Sequence, residues 1–309
     1  METLSLELEL VGERSRARLG GLAPVEGSLR EGAALAAAHE ALLRTPLEPA
    51  LNHLVGAALW EVLAGAGVTA LIQQALARGG RLELAITASG RWQERAWELL
   101  RPPEAQAPFL CLEPSVRLFR RMAPGVPRDR PEADEPAALV VGGDPELAAL
   151  WPRAVVLESP SREALAEALS QRVWSVVHLA GHGEAGVWWL GEEAISADDL
   201  GAMCRGRIAG ACILALCEGA GIQGTPRRYD QDWSGLAGRL ASAGVPEVVA
   251  SRAPVLGRDI SAFSRAWHSA WLERADALEA TARARSALAS RGSRAALAGV
   301  QVLHVRATG

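Results

Sequence analysis

Two short segments carry residue types that could do covalent chemistry together. The first, HLAGHGE, sets His182 between Gly181 and Gly183; the second, ACILALCEGAG, sets Cys217 just ahead of Gly219 and Gly221. A thiol with a pKa of about 8.5 is only a few per cent thiolate at neutral pH. An imidazole, with a pKa of about 6.5, can take that proton and later return one to a leaving amine. Glycines beside both residues let backbone come close to a substrate. The amides of Gly183 and Cys217 are the candidate donors to a developing oxyanion. Together these groups suit acyl transfer at a peptide bond, provided the fold brings them side by side.

The remaining cysteines and histidines read more plainly. Cys111, Cys204 and Cys212 read as packing residues, and Cys212, five before Cys217, falls on the opposite face of a strand. His178 lies inside an apolar run and reads as a hydrogen-bonded core histidine, while His39, His53, His268 and His304 have no partner signal. A zinc site from His178, His182, Cys212 and Cys217 would need ligands from both sheet faces and has no paired spacing, so no metal and no cofactor is expected. No GxSxG elbow, GxGxxG or GKS/T segment is present, which argues against a serine hydrolase and a nucleotide site.

Stepping outward, the pair must be positioned by the elements around it. After residue 137 the chain alternates short apolar runs with helical stretches: ALVVG (138–142), AVVLE (154–158), WSVVHLA (174–180), CILAL (212–216), EVVAS (247–251) and VLHVR (302–306). Unbroken apolar strands separated by helices predict a parallel sheet covered on both faces. Chemistry in such sheets collects beyond the carboxyl ends of strands, which is where His182 and Cys217 fall.

The first third mixes strands and helices. Leu4, Leu6, Leu8 and Leu10 alternate with polar residues, as do Leu82, Leu84 and Ile86, predicting two strands. Helices are predicted near 31–44, 48–64 and 68–78; residues 91–121 read as a Trp/Leu-rich helix, a Pro102-Pro103 break and a strand near Phe109. The stretch APGVPRDRPEADEPA (123–137) is too rich in proline and charge to bury much surface and reads as a linker. The expected organisation is an α+β N-terminal domain over 1–125, pseudo-protease-like or regulatory. A linker over 126–137 and an α/β domain over 138–309 complete it.

Composition narrows the classes further. The chain has 309 residues, 49% of them apolar and 22% charged, with a formal charge of −4. That charge offers nothing to nucleic acid or an anionic membrane, so neither is expected as a partner. Glycines 56, 65 and 67 and an amphipathic spacing make Leu54 to Ile72 a core-facing helix, not a membrane span. No cysteine pair has CxxC spacing and nothing at the start resembles a secretion signal, so a cytoplasmic location with free thiols is expected.

The segments VVHLAGHGE, ILALCEGAG and GLAGRLASAGVPEVVAS together resemble the CHAT family, caspase-like peptidases related to separase and to caspases. WELL (97–100), FSRAW (263–267), ATARARSAL (280–288) and the closing VLHV add to the resemblance, which covers nearly the whole chain. It implies a caspase-like α/β fold, a mostly parallel sheet flanked by helices, and catalysis by His182 and Cys217. The family's usual ACES or ACET segment is altered: Leu216 replaces the alanine, and Gly219 stands where a small hydroxyl residue is common.

The resemblance further implies cleavage of a protein substrate after a chosen residue, often arginine or lysine read by an acidic pocket, and a role in bacterial defence or regulated cell death. Asp144, past the first strand of the second domain, and Asp230 and Asp232, after the nucleophile, are the acidic candidates, with Glu218 a weaker fourth. Asp144 and Asp232 also read as helix caps. Arg227-Arg228, in a loop read over 221–233, offers a self-cleavage site. Trp188 and Trp189 read as exposed side chains that bind a partner or pack over the edge of the site. With no sensor module visible, activation is expected from the first domain, from a partner protein or from self-association. Two other readings remain: a catalytically silent scaffold of the same fold that binds a partner, and a non-proteolytic acyl-transfer or sensing protein.

Overall fold

The computed structural model describes residues 2–45, 48–122, 131–142, 144–184, 187–216, 229–251, 256–274, 276–300 and 302–306. The polypeptide opens with the alternating leucines, which form β1 (Thr3–Val11) with its leucine face buried. A hairpin, β2 (Arg14–Leu19) and β3 (Val25–Ser28), follows. Three helices come next: α1 (Ala33–Arg44), α2 (Pro49–Gly65) and α3 (Val68–Ala77). Strands β4 (Arg81–Ala88) and β5 (Val116–Arg121) complete this part.

The two expected strands and three expected helices stand where their periodicity put them. The 91–121 region does not: it holds three single 3-10 turns, and its strand is β5, downstream of Phe109. Residues 96–101 are all buried, so no helical face could be given to solvent. Instead Trp92 donates its indole N–H to the Gly12 carbonyl at 2.6 Å and Trp97 to the Trp92 carbonyl at 2.7 Å. Helices α2 and α3 are bent by 103° at their junction, and among the described residues no single helix is long and apolar enough to cross a membrane.

The second part runs β6 (Ala138–Val141), α4 (Pro145–Ala148), β7 (Ala154–Leu157), α5 (Arg162–Ser170) and β8 (Trp174–Glu184). A hairpin of β9 (Val187–Leu190) and β10 (Glu193–Ser196) continues from β8, then α6 (Ala197–Cys204) and β11 (Ile208–Leu216). Helix α7 (Tyr229–Ser242), β12 (Glu247–Ser251), α8 (Gly257–Arg274), α9 (Ala277–Ala289), α10 (Ser293–Val300) and β13 (Val302–Arg306) close the chain.

Among the described residues these strands form one sheet, ordered β10-β9-β8-β11-β12-β13-β5-β4-β1-β2-β3, with β6 joined to β8 and β7 to β6. The block β7, β6, β8, β11 and β12 is parallel throughout, as its unbroken apolar runs require. The last strand departs from that pattern: β13 is antiparallel to β12 and parallel to β5, and through it both parts of the chain share the sheet. Side-chain alternation divides the β6–β8–β11 block between two cores. Leu139, Val141, Val177, Leu179, Cys212 and Leu214 face one, with α5, α6 and α7. Val140, Val176, Ala211, Ile213 and Ala215 face the other, with α8 and α9.

Candidate active site

Five parallel strands, β7, β6, β8, β11 and β12, deliver their carboxyl ends to one rim. In the ladder between β8 and β11, Cys212 pairs with Val177, Leu214 with Leu179 and, as the last step, Leu216 with Gly181. Leu216 immediately precedes Cys217, and Gly181 immediately precedes His182. Cys217 itself lies outside the described residues, as do Glu218, Arg227 and Arg228. His182 is described: it is exposed, and it opens the pairing of β8 with β9 opposite Trp189. Gly183, the candidate oxyanion donor, follows it and pairs with Trp188.

Two glycines at this rim have geometries that a side chain would spoil. Gly181 has φ of +149°, and a Cβ on it would meet the Trp188 indole nitrogen at 2.8 Å. Gly142, at the end of β6, has φ of +78°, and a Cβ there would meet the Ala180 carbonyl oxygen at 2.8 Å. Both close approaches hold neighbouring backbones against β8 just before His182. Trp188 is therefore not an exposed side chain: it is fully buried against Gly181, because β9 folds back over the end of β8, whereas Trp189 is half-buried.

Of the acidic candidates, Asp144 stands past the end of β6, the strand beside β8. Its carboxylate accepts the Glu146 amide at 3.0 Å and so caps α4. It is also close enough for its charge to favour the protonated form of His178. Asp230 and Asp232 lie inside the first turn of α7, which begins at Tyr229, and not in a loop running to residue 233. Their position is that of helix residues because the amphipathic stretch begins before them.

Beneath the rim, on the α8 side, lies a chain of hydrogen bonds. The Trp151 indole donates to Nδ1 of His268 at 2.9 Å, and Nε2 of His268 lies 3.2 Å from Nδ1 of His178. An N–H donor at Nδ1 of His268 makes that ring carry its proton on Nε2, which in turn makes His178 protonated on Nε2. Both rings are buried, and burial pulls His178 down to about 4 and His268 well below the usual histidine range. Both are thus neutral, in keeping with the core role read for His178; the partner of His268 was invisible in the sequence.

Two polar residues of α8 also escaped the sequence reading. Asp259 is buried in the first turn of the helix, with the exposed Arg258 guanidinium 4.0 Å away. Ser264 is buried, and its hydroxyl has no hydrogen-bond partner. Both follow from how α8 docks. Trp271 lies against Gly210 near the start of β11, His268 against His178 in mid-strand, and Arg265 is ion-paired with Glu146 of α4. The helix therefore runs down from the rim, with its first turns uppermost.

The described cysteines are poor nucleophiles. Burial pushes the Cys111 thiol up to about 11, Cys204 to about 12 and Cys212 well above the ordinary range. Among the described residues no group of three metal-ligating side chains occurs.

The CHAT domain family matches residues 126–297. No curated protein sequence matches the chain. Similar solved structures include two of the Saccharomyces cerevisiae separase–securin complex, at 15% and 14% identity with TM-scores of 0.43 and 0.44. They cover 87% and 78% of this chain, which spans only 20% and 17% of theirs. A third, described as a protease, has 10% identity and a TM-score of 0.47, and covers 89% of this chain and 75% of its own.

Proposed function

This chain belongs to the CHAT domain family, and we propose that it is a cysteine endopeptidase in which His182 is the base for Cys217 and a protein is cut after a basic residue. The observation that carries the reading is the last step of the β8–β11 ladder, Leu216 beside Gly181. One further step in the same register would set Cys217 beside His182, on the face that also holds Val176 and Ala215. Around that position stand the exposed imidazole of His182, the backbone of Gly183 and the carboxylate of Asp144, with Asp259 buried in the first turn of α8.

In this mechanism His182 takes the thiol proton, and the thiolate adds to the scissile carbonyl. The amides of Gly183 and Cys217 receive the oxyanion. The imidazolium then protonates the departing amine, leaving an acyl thioester that water, deprotonated by the same imidazole, hydrolyses. No metal or redox partner enters the balance. The basic side chain would be met by Asp144 and Asp259, with Asp230 and Asp232 as further acidic groups of the same rim. The setting we propose is cytoplasmic, in defence or regulated cell death, with a partner protein as activator.

The test is an electrophilic peptide probe ending in arginine, applied to wild type, Cys217→Ser and His182→Ala. Labelling of wild type alone, with cleavage of an arginine reporter, is the expected result. Wild type that binds a partner yet neither labels nor cleaves would make the chain a silent scaffold.

A further inference from the structure

The β8–β11 ladder does not keep one register along its length. It opens with Ile208 opposite Trp174, and from Ala211 opposite Val176 it runs unbroken to Leu216 opposite Gly181. Between the first two pairs β11 advances 211 − 208 = 3 residues and β8 only 176 − 174 = 2. Strand β11 therefore carries one extra residue, a bulge at Ala209 and Gly210. Partners differ by 208 − 174 = 34 before the bulge and by 216 − 181 = 35 after it. His182 and Cys217 differ by 217 − 182 = 35. Had the opening offset been kept, Leu216 would stand opposite His182 and the thiol would overshoot it.

The bulge is held from both sides. Below it, the Trp174 amide donates to the Arg207 carbonyl at 2.8 Å, and Ile208 and Trp174 are buried. At it, Gly210 lies so close to β8 that a Cβ would overlap the Ser175 carbonyl oxygen and meet the Trp271 ring at 3.1 Å. Neither neighbour is free to give way. The Ser175 amide donates to the Ala137 carbonyl at 3.0 Å, and its hydroxyl accepts the Ala137 amide at 3.2 Å. Trp271 is buried against the indoles of Trp151 and Trp267, with ring centres 5.3 and 6.4 Å away. Ala209 and Gly210 line a cavity of about 450 Å³, so the extra residue is housed at an opening. Beyond the bulge, Cys212, Ile213, Leu214 and Ala215 are all apolar and all buried. Sliding such a strand by one residue exchanges one apolar face for another, so its pattern specifies register weakly.

We propose that Gly210 is a positioning residue for the candidate site: by admitting the bulge, it sets the register in which β11 reaches His182. The assignment rests on the peptidase reading for its purpose, since the pairing of Cys217 with His182 is what the register would serve. Gly210 acts from about 20 Å below Leu216. A side chain there expels the bulge. The strand then either keeps its opening offset, which carries Cys217 to the level of Gly183, or gives up its first pair with Trp174.

The experiment reads register without relying on catalysis. In His182→Cys, dibromobimane can bridge the introduced thiol to Cys217 and fluoresces when it joins two neighbouring thiols. Bridging is expected with Gly210 in place, should be lost in Gly210→Ala, and should return when Ala209 is deleted from Gly210→Ala. That deletion removes the extra residue, so a straight ladder satisfies both offsets. Deleting Gly210 alone should likewise fold, by urea unfolding, and bridge, which keeps the test alive if Gly210→Ala does not fold. With His182 intact, kcat on an arginine reporter should fall on the order of 10²-fold in Gly210→Ala, with KM little changed, and recover with the deletion. Full bridging in a folded Gly210→Ala, or none after either deletion, overturns the role of the bulge. No bridging in His182→Cys alone overturns the alignment itself. Bridging in the expected order, in a chain whose wild type neither cleaves nor is labelled, removes the peptidase reading and leaves the register standing.

Discussion

The part of the sheet built by β4 and β5 and the rim of β6, β8 and β11 treat polar groups in opposite ways. In the first, buried carboxylates are ringed by guanidinium groups. Arg120 holds Glu98 through two bonds of 2.8 Å and gives its remaining N–H groups to the carbonyls of Gln93 and Arg95. Glu279 of α9 is met by Arg81 at 3.0 Å, by Arg117 at 2.9 Å and by Arg283 at 2.9 Å. At the rim, among the described residues, His182 is exposed, the Asp259 carboxylate is met by an exposed guanidinium 4.0 Å away, and the Ser264 hydroxyl has no hydrogen-bond partner. Satisfied polar networks hold a fold together; polar groups left open at a strand-end rim are held ready for something that arrives.

That contrast can be broken by exchanging its terms. His182→Ala should lower the cleavage rate on the order of 10³-fold, the range of a general base, while leaving stability within about 0.5 kcal/mol of wild type. Glu98→Ala should do the reverse. It strands the Arg120 charge in a buried site and should cost about 3–5 kcal/mol, with little change in the rate per folded molecule. Urea unfolding and active-site titration of both variants decide it. A stable but inactive Glu98→Ala would end the division of labour drawn above.

How much of this was legible beforehand follows the same line. The parallel strands of the second part could be read because a parallel sheet buries both faces and writes continuous apolar runs, whereas the short β9–β10 hairpin was not read. Strand β2 could not: its buried face is Ser15, Ala17 and Leu19, of which only the last is a strong apolar signal. Residues 96–101 misled for another reason, since burial on every side leaves no period to detect. At the site, His182, Asp144 and the glycines were visible because strand ends are marked in sequence by glycine turns. Asp259 and Ser264 were not, because their meaning depends on the direction in which α8 crosses the sheet. Trp188 and Trp189 look alike in sequence, and only the fold-back of β9 separates the buried from the half-buried one.

The neutral histidine pair sharpens the comparison through pH. His178 is buried, with its pKa drawn from the ordinary 6.5 to about 4. In that window the unfolded chain binds a proton at this residue that the folded chain refuses. The stabilisation is therefore complete above about pH 6.5 and is lost as pH falls toward about 4, amounting to about 3 kcal/mol across the window. Urea titrations at several pH values should show His178→Phe, although less stable overall, losing less over that window than wild type. Equal losses would mean that His178 is not held neutral.

Asp144 is where the two ways of using a polar group meet. Its Oδ1 caps α4 through the Glu146 amide, a structural duty, while its position past β6 gives it a place at the rim. Two substitutions separate these. Asp144→Ala removes cap and charge, and should cost about 1 kcal/mol as well as lower the preference for basic reporters. Asp144→Asn keeps an oxygen that can accept the same amide, so Tm should stay near wild type, yet it removes the charge that would attract a cation. If Asp144→Asn keeps full preference for arginine over an uncharged residue, the carboxylate is a cap and nothing more, and the burden of recognition moves to the other acidic groups of the rim.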